Sequence, residues 1–362
     1  MSNRFVWPSL ALVSVVVVAT MPAWLGIYYL GIVTSALFFI GFASAWNIVG
    51  GMAGQFSLGN SLFVAMGSTI VAALVTLHGW NVWLAMFVGA AGSALIALAI
   101  GAMMFRRQLP HLSFALVTLA FAEVGLLLVT STSAIGAASG VVWSGRGFGI
   151  DDQSGYLAIA LACAVVVVAL SWVIRRSRLG HRMRAIRDDE SAAAAIGTNL
   201  FWTKTIALVL SAVLTSLVAT LYANYLVFVD PQSFASPVLS ISIILYAVVG
   251  GLGTVRGPVL GAGILYPVAE ILRGQFGDLP GLSSVFLGGV ILLVVLFAPS
   301  GISGLLDRAA VQGRRHPKDD RRGLGSPLTS DPVQSDAASP ARGDASPHSN
   351  EAITPHLNGM EK

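Results

Sequence analysis

Residues Gly50–Asn60 read GGMAGQFSLGN, and they lie between two long apolar runs. Four glycines and three uncharged polar residues, Gln55, Ser57 and Asn60, stand where a plain membrane anchor would carry Leu and Val. Inside lipid every backbone N–H and C=O has to be satisfied, so irregular backbone is tolerated only where protein or a watery cavity surrounds it. Transporters use such breaks to offer backbone groups to a solute. Small residues also let helices touch closely. The stretch therefore has two readings: a broken helix beside a pathway, with Gly54, Gln55, Ser57 and Gly59 as its groups, or a close helix crossing with Gln55 bonding across it. A second such place is VVGGLGTVRGPVLGA, with Gly250, Gly251, Gly253, Gly257 and Gly261.

The flanking composition sets the class. Of 362 residues, 55% are hydrophobic and 10% are charged, and the mean hydropathy is +0.78. Soluble domains carry about 25% charged residues. This is the composition of an all-α polytopic membrane protein. A span needs about 20 apolar residues, and candidates run over 8–24, 26–49, 60–78, 82–104, 113–131, 155–174, 203–227, 237–253, 257–272 and 283–299. That makes about ten, or eight to ten if the first is short and the pair around GGLGTVRG is one broken helix. A transmembrane domain over 1–303 follows, with a polar Pro-, Ser-, Asp- and Arg-rich segment over 304–362 expected to be a disordered cytoplasmic tail.

Charge orients the spans. Arg106 and Arg107, the six arginines between Arg175 and Arg187, Arg256, and Arg308, Arg314 and Arg315 all fall on one side if each span crosses once. Asp151, Asp152 and Asp230 fall on the other, with Arg146 and Arg273 as exceptions. The positive-inside rule then puts both termini in the cytoplasm. It also accounts for the net charge of +4 without nucleic acid.

Several activities lack their residues. No G-x-x-x-x-G-K-[ST] loop is present, and the three lysines, Lys204, Lys318 and Lys362, follow no glycine. The chain thus has no usual means of holding ATP phosphates. It has no H-E-x-x-H helix or G-x-S-x-G elbow, and its histidines make no metal-ligand pair at helical spacing. Neither an enzyme nor a metal site is expected, and no cofactor. Two carboxylates lie in apolar runs. Glu123, in LVTLAFAEVGLL, reads as a pathway group or as a carboxylate satisfied by a neighbouring helix. Glu270, near a span end, reads as reaching the interface.

Between two spans lies SRLGHRMRAIRDDESAAAAIGTN, Ser177–Asn199. Leu179, Met183, Ile186 and Ala193 fall near one helical face, and Gly197 is a C-terminal stop. A short amphipathic helix is expected. It could lie on anionic lipid or dock into a groove of a partner protein. The acidic group Asp188, Asp189 and Glu190 and the smooth run Ala192–Ala195 favour docking.

Three segments together resemble one family. GMAGQFSLGNSLFVAMGS is similar to the G-x-x-G-Q-x-S-L-G signature of permease subunits in branched-chain amino-acid ABC importers. LSFALVTLAFAEV with IGAASGV resembles that family's T-L-A-F-x-E segment and its glycine loop. SRLGHRMRAIRDDESAAAAIGTN, LYANYLVFVDPQSF and VVGGLGTVRGPVLGA resemble its coupling segment and C-terminal glycine motif. The likeness runs in order from about 26 to 303 and is closer to the LivM-type subunit than to the LivH-type. It implies an importer in the bacterial cytoplasmic membrane. Two cytoplasmic ABC ATPases would bind the ATP, a second homologous permease subunit would complete the pathway, and an extracytoplasmic binding protein would deliver solute. Gly180, Arg182, Arg184, Asp189, Glu190, Ala193 and Gly197, within 175–199, would transmit the ATPase movement. Branched-chain or related amino acids are the implied cargo, while related permeases carry urea or short amides. An ion-coupled secondary carrier is the alternative of another class; it predicts that Glu123→Gln abolishes coupling.

Overall fold

The computed structural model describes residues 26–107, 111–143, 148–149, 152–275 and 301–304, with isolated residues at 20, 285, 288 and 289. The first and last expected spans, 8–24 and 283–299, and nearly all of the tail lie outside the described residues. The other eight expected spans are all helical.

Helix α1 (Ile27–Asn47) is apolar on every side and runs on through a π-helical turn, Ile48–Met52. A helix without a polar face belongs inside a bundle, and 94% of the apolar window of Ile27–Met52 is buried. After α1 come α2 (Asn60–Thr76), α3 (Val82–Phe105), α4 (His111–Ser131) and α5 (Gln153–Arg176), of which α5 packs along α1. The short pair α6 (Arg178–Asp188) and α7 (Glu190–Ala195) follows. Then come the long α8 (Leu200–Leu226), one turn, α9 (Pro231–Phe234), and the pair α10 (Pro237–Gly250) and α11 (Arg256–Gln275). A two-residue ribbon joins β1 (Val141–Val142) to β2 (Phe228–Val229), antiparallel, with Val141 opposite Val229.

The core is aromatic where α1, α8, α10 and α11 meet. Phe39 stacks on Tyr266 with ring centroids 4.4 Å apart and meets Tyr222 and Tyr246 edge-on. Elsewhere small residues set the spacing. Gly250 of α10 lies against the backbone of Gly257 and Gly261 in α11, and Tyr246 against Gly261. These pairings run in opposite directions along the two helices, so α10 and α11 form a hairpin, not the single broken helix left open by the sequence. A Cβ on Gly250 would sit on the Gly257 carbonyl; only glycine permits this approach.

Passing in order along the chain, α1 descends to the end that carries Arg106, Arg175–Arg187 and Arg256, and successive helices alternate. Asp152 immediately precedes α5, and Asp230 caps α9 by accepting from Gln232 N–H, both at the opposite end. The charge asymmetry of the loops is thus an asymmetry of the folded bundle. Glu270 is half-buried and meets Arg273 at 3.0 Å, near the end of α11.

Candidate functional site

At the arginine-rich end two interruptions meet. After the π turn the chain leaves helix at Ala53 and does not re-enter it until Asn60. Several of its backbone groups are satisfied by protein. Gln55 N–H donates to the Val49 carbonyl at 3.0 Å, Trp46 Nε1 to the Ser57 carbonyl at 2.8 Å, and Leu58 N–H to Thr118 Oγ1 at 3.0 Å. Gln55, Ser57 and Asn60 are each only 2% exposed. Irregular backbone at this depth survives because protein encloses it.

The second interruption, Gly251–Val255, clasps the first. Asn47 accepts from Gly253 N–H through Oδ1 and donates to the Thr254 carbonyl through Nδ2, both at 2.9 Å. One side chain from the end of α1 therefore fixes the loop of the α10–α11 hairpin. Asn47 is 1% exposed, and removing its amide would strand both backbone groups.

Beneath this junction lies the segment Ser177–Asn199. Met183, Ile186 and Ala193 are buried, at 0%, 1% and 2% exposure, and Leu179 is partly buried. The face read from the sequence is the face that packs inward. One continuous helix was expected, however, and the chain breaks at Asp189. The Asp189 backbone is extended, and its carboxylate caps α7 by accepting from Ser191 N–H at 2.8 Å and Ala192 N–H at 3.0 Å. Asp is a strong N-cap residue, so the acidic run, read from the sequence only as favouring docking, contains a helix start. The Ser191 hydroxyl, then the Ala192 and Ser191 N–H groups, hold the Asp189 carboxyl below its ordinary range. Gly197, at φ 83°, ends α7, with Thr198 N–H returning to the Ala193 carbonyl at 3.0 Å.

Three side chains tie this segment to the bundle. Arg187 donates to the Gly51 carbonyl at 2.8 Å, and it packs against Gly54, whose φ of 70° favours a glycine, and Gly253. Glu190 accepts from Lys204 Nζ of α8 at 2.5 Å and from Gln55 Nε2 at 3.2 Å. Lys204 is 7% exposed and stands 5.8 Å from the Phe105 ring centroid of α3. A lysine at this depth needs a counter-charge. Gly180 sits in the first turn of α6, where a Cβ would meet the Ile174 carbonyl. Arg184 reaches back only to the Gly180 carbonyl, at 3.3 Å. Arg182, Asp188, Asp189, Ala192 and Ile196 are exposed on the outer side.

The two residue groups named from the sequence thus share one place. Gly54, Gln55, Gly251 and Gly253 meet the segment that carries Gly180, Arg184, Glu190 and Ala193. Ser57 and Gly59 lie deeper, with Gly59 against the Thr118 backbone. Glu123 stands apart, on the exposed side of α4. Sequence reasoning missed Asn47, Arg187 as a tether, and Lys204. Their signals were present: a lone amide ending an apolar run, and a single lysine among the first 317 residues. Among the described residues no group of three metal-binding side chains occurs.

Comparison with known proteins adds the family. The family of the branched-chain amino acid transport system permease component matches residues 28–295. The chain belongs to this permease family. It is 28% identical to the high-affinity branched-chain amino acid transport system permease protein LivM of Salmonella typhimurium, over 75% of this chain and 69% of that protein. To LivH of the same organism it is 24% identical, over 75% and 91%. To the autoinducer 2 import system permease protein LsrC of Enterobacter sp. it is 25% identical, over 85% and 90%. No solved structure matches significantly. The permease is therefore a multi-pass transport subunit of an ABC importer and not a member of an enzyme class; the LivM likeness exceeds the LivH likeness, as the motifs had indicated.

Proposed function

We propose that the permease forms one half of the pathway of an ATP-driven importer for branched-chain or related amino acids, and that α6–α7 is where an ABC ATPase pushes. One observation carries this reading. The segment's apolar face is buried on the bundle and tethered to both glycine interruptions, while its outer charges, Arg182, Asp188 and Asp189, stay open. An element that merely lay on lipid would expose its apolar face. Here that face is used up internally, and what remains is an outer surface of charges with Ala192 and Ile196, suited to a protein partner.

In this reading two ATPases bind ATP, a second permease subunit completes the pathway, and an extracytoplasmic binding protein supplies the solute. The arginine-rich end is cytoplasmic, as are both termini. Movement of α6–α7 passes through Glu190 to Lys204 of α8 and to Gln55, and through Arg187 to Gly51. The glycine junction is the part that changes shape, because its residues lack the bulk that locks neighbouring helices.

The test is reconstitution of the permease with its co-purifying subunits into vesicles and measurement of L-leucine uptake. Uptake that needs ATP, the ATPase and the binding protein supports the importer. Uptake by the purified chain alone, driven by an ion gradient, would move the assignment to a secondary carrier. Leucine-independent ATP-driven uptake of urea or an amide would keep the importer and change its cargo.

A further inference from the structure

Helix α4 has two unlike sides. Phe114, Ala115, Thr118, Ala122, Gly125 and Val129 turn inward, with Thr118 holding Leu58 and Gly125 lying on Leu62 of α2. The opposite stripe, Leu116, Ala120, Glu123, Leu127 and Ser131, is exposed. Leu116 and Leu127 are 58% and 65% exposed. Bare apolar stripes also occur on α3, with Leu95 at 67% exposure, and lipid suffices for those. Lipid does not suffice for α4, because Glu123 lies in the middle of its stripe. The carboxylate is eight residues from the end of α4 at Ser131, about 12 Å along the axis, too far for a short side chain to reach the interface. Among the described residues Glu123 has no hydrogen-bond or ion-pair partner. A carboxylate held against hydrocarbon is expensive, and such groups face a water-filled space or a partner.

A second feature lies one turn farther along the helix. At the end of α4 opposite the coupling segment lies an open cleft of about 490 Å³, walled by Val124, Leu127 and Leu128 and edged by Thr130, Ser131 and Gln232. It begins one residue above Glu123 and continues along the same stripe. Glu123 does not line the cleft but lies one turn from its Leu127 wall. That acid, the aliphatic wall and the hydroxyl and amide rim thus follow one another along the helix in the order of a neutral amino acid's ammonium, apolar side chain and carboxylate.

We propose that the Glu123 stripe of α4 borders an aqueous path closed by the second permease subunit, and that Glu123 receives the ammonium group of the passing amino acid. This rests on the importer reading above, and it adds the wall of the path and the group that meets the cargo.

The experiment uses the assembled importer in vesicles, in a Cys163→Ala background that removes the single native thiol. Leu127→Cys, one turn from Glu123, reports on the stripe with Glu123 intact; Leu95→Cys reports on lipid. Both meet a membrane-impermeant methanethiosulfonate, which reacts with thiols in water. Leu127→Cys is expected to react at least tenfold faster than Leu95→Cys. L-leucine and 3-methylbutylamine are expected to slow that reaction severalfold, whereas isovalerate, which lacks the ammonium, does not. Adding Glu123→Gln is expected to abolish the protection and leave the unprotected rate unchanged. The path is overturned if Leu127→Cys is as inert as Leu95→Cys, which would mean that lipid or another segment of this chain covers the stripe. The ammonium assignment is overturned if leucine gives no protection, or if protection survives Glu123→Gln. ATP-dependent leucine uptake in the same vesicles separates these failures from failure of the importer reading itself.

Discussion

The glycine junction and the outer stripe of α4 both carry polar groups inside a membrane bundle, and they treat them oppositely. At the junction each group has a partner. Asn47 holds the α10–α11 loop with two bonds, Arg187 holds Gly51, and Glu190 joins Lys204 to Gln55. On α4 Glu123 is left open beside a cleft. Closed networks specify a structure, whereas an open charge waits for something that arrives later. In the proposed function the contrast separates the part of the permease that would transmit movement from the part that would meet another molecule.

The contrast can be tested by removing charges on each side. The largest effect belongs to Lys204→Met. It removes the Lys204 cation from half-buried Glu190, and it is expected to cost about 3 kcal/mol, read as a lower Tm of the detergent-solubilised complex. Adding Glu190→Leu should restore most of the Tm but not ATP-driven uptake, because the tie between α7 and α8 stays cut. If the double variant transports normally, the ion pair is structural only.

Next comes Gly250→Ala. The added methyl group meets the Gly257 carbonyl, and forcing the α10–α11 hairpin apart is expected to cost about 2 kcal/mol. The corresponding change at Gly26, where nothing lies within 4 Å, should leave the Tm unaltered.

Charges on open surfaces should behave differently. Arg182→Glu with Asp188→Arg is expected to shift stability by less than about 0.5 kcal/mol yet to reduce ATPase co-purification severalfold. Normal assembly and normal stimulated ATPase activity would remove α6–α7 from the interface. Glu123→Leu should be equally silent in stability, because no described residue bonds to Glu123.

The smallest effect is on pH. The Asp189 carboxyl is held below its usual range, so its capping contribution is complete above the unfolded value of about 3.9 and is lost as pH falls through the lower folded value. Amide exchange in α7 should therefore quicken in acid. Asp189→Asn, which caps without titrating, should not show that change.

Much of this was legible in the residues. Runs of apolar residues gave eight helices where helices stand, because span length is set by bilayer thickness. The inward face of Leu179, Met183, Ile186 and Ala193 followed from helical period alone. What stayed hidden depends on distant partners. Nothing near Asn47 announces that Gly253 and Thr254, more than 200 residues away, will close on it. The break at Asp189 was masked because Asp188, Asp189 and Glu190 read as one acidic group on a single docking helix. Only the folded chain shows Asp189 capping and Glu190 turned inward to Lys204. The glycine stretches showed that the backbone loosens, but not that the two loosened places touch.

Helix α8 starts beside Lys204 and runs 27 residues, about 40 Å. Its far end reaches the β1–β2 ribbon and Asn224, which accepts from the Tyr156 hydroxyl at 3.3 Å. Held by Glu190 near one tip and by the Tyr156 hydroxyl near the other, the rod joins the two faces of the bundle. In the proposed function a tilt of a few degrees imposed at Lys204 would move the far tip by several ångströms, comparable to the width of an amino-acid side chain.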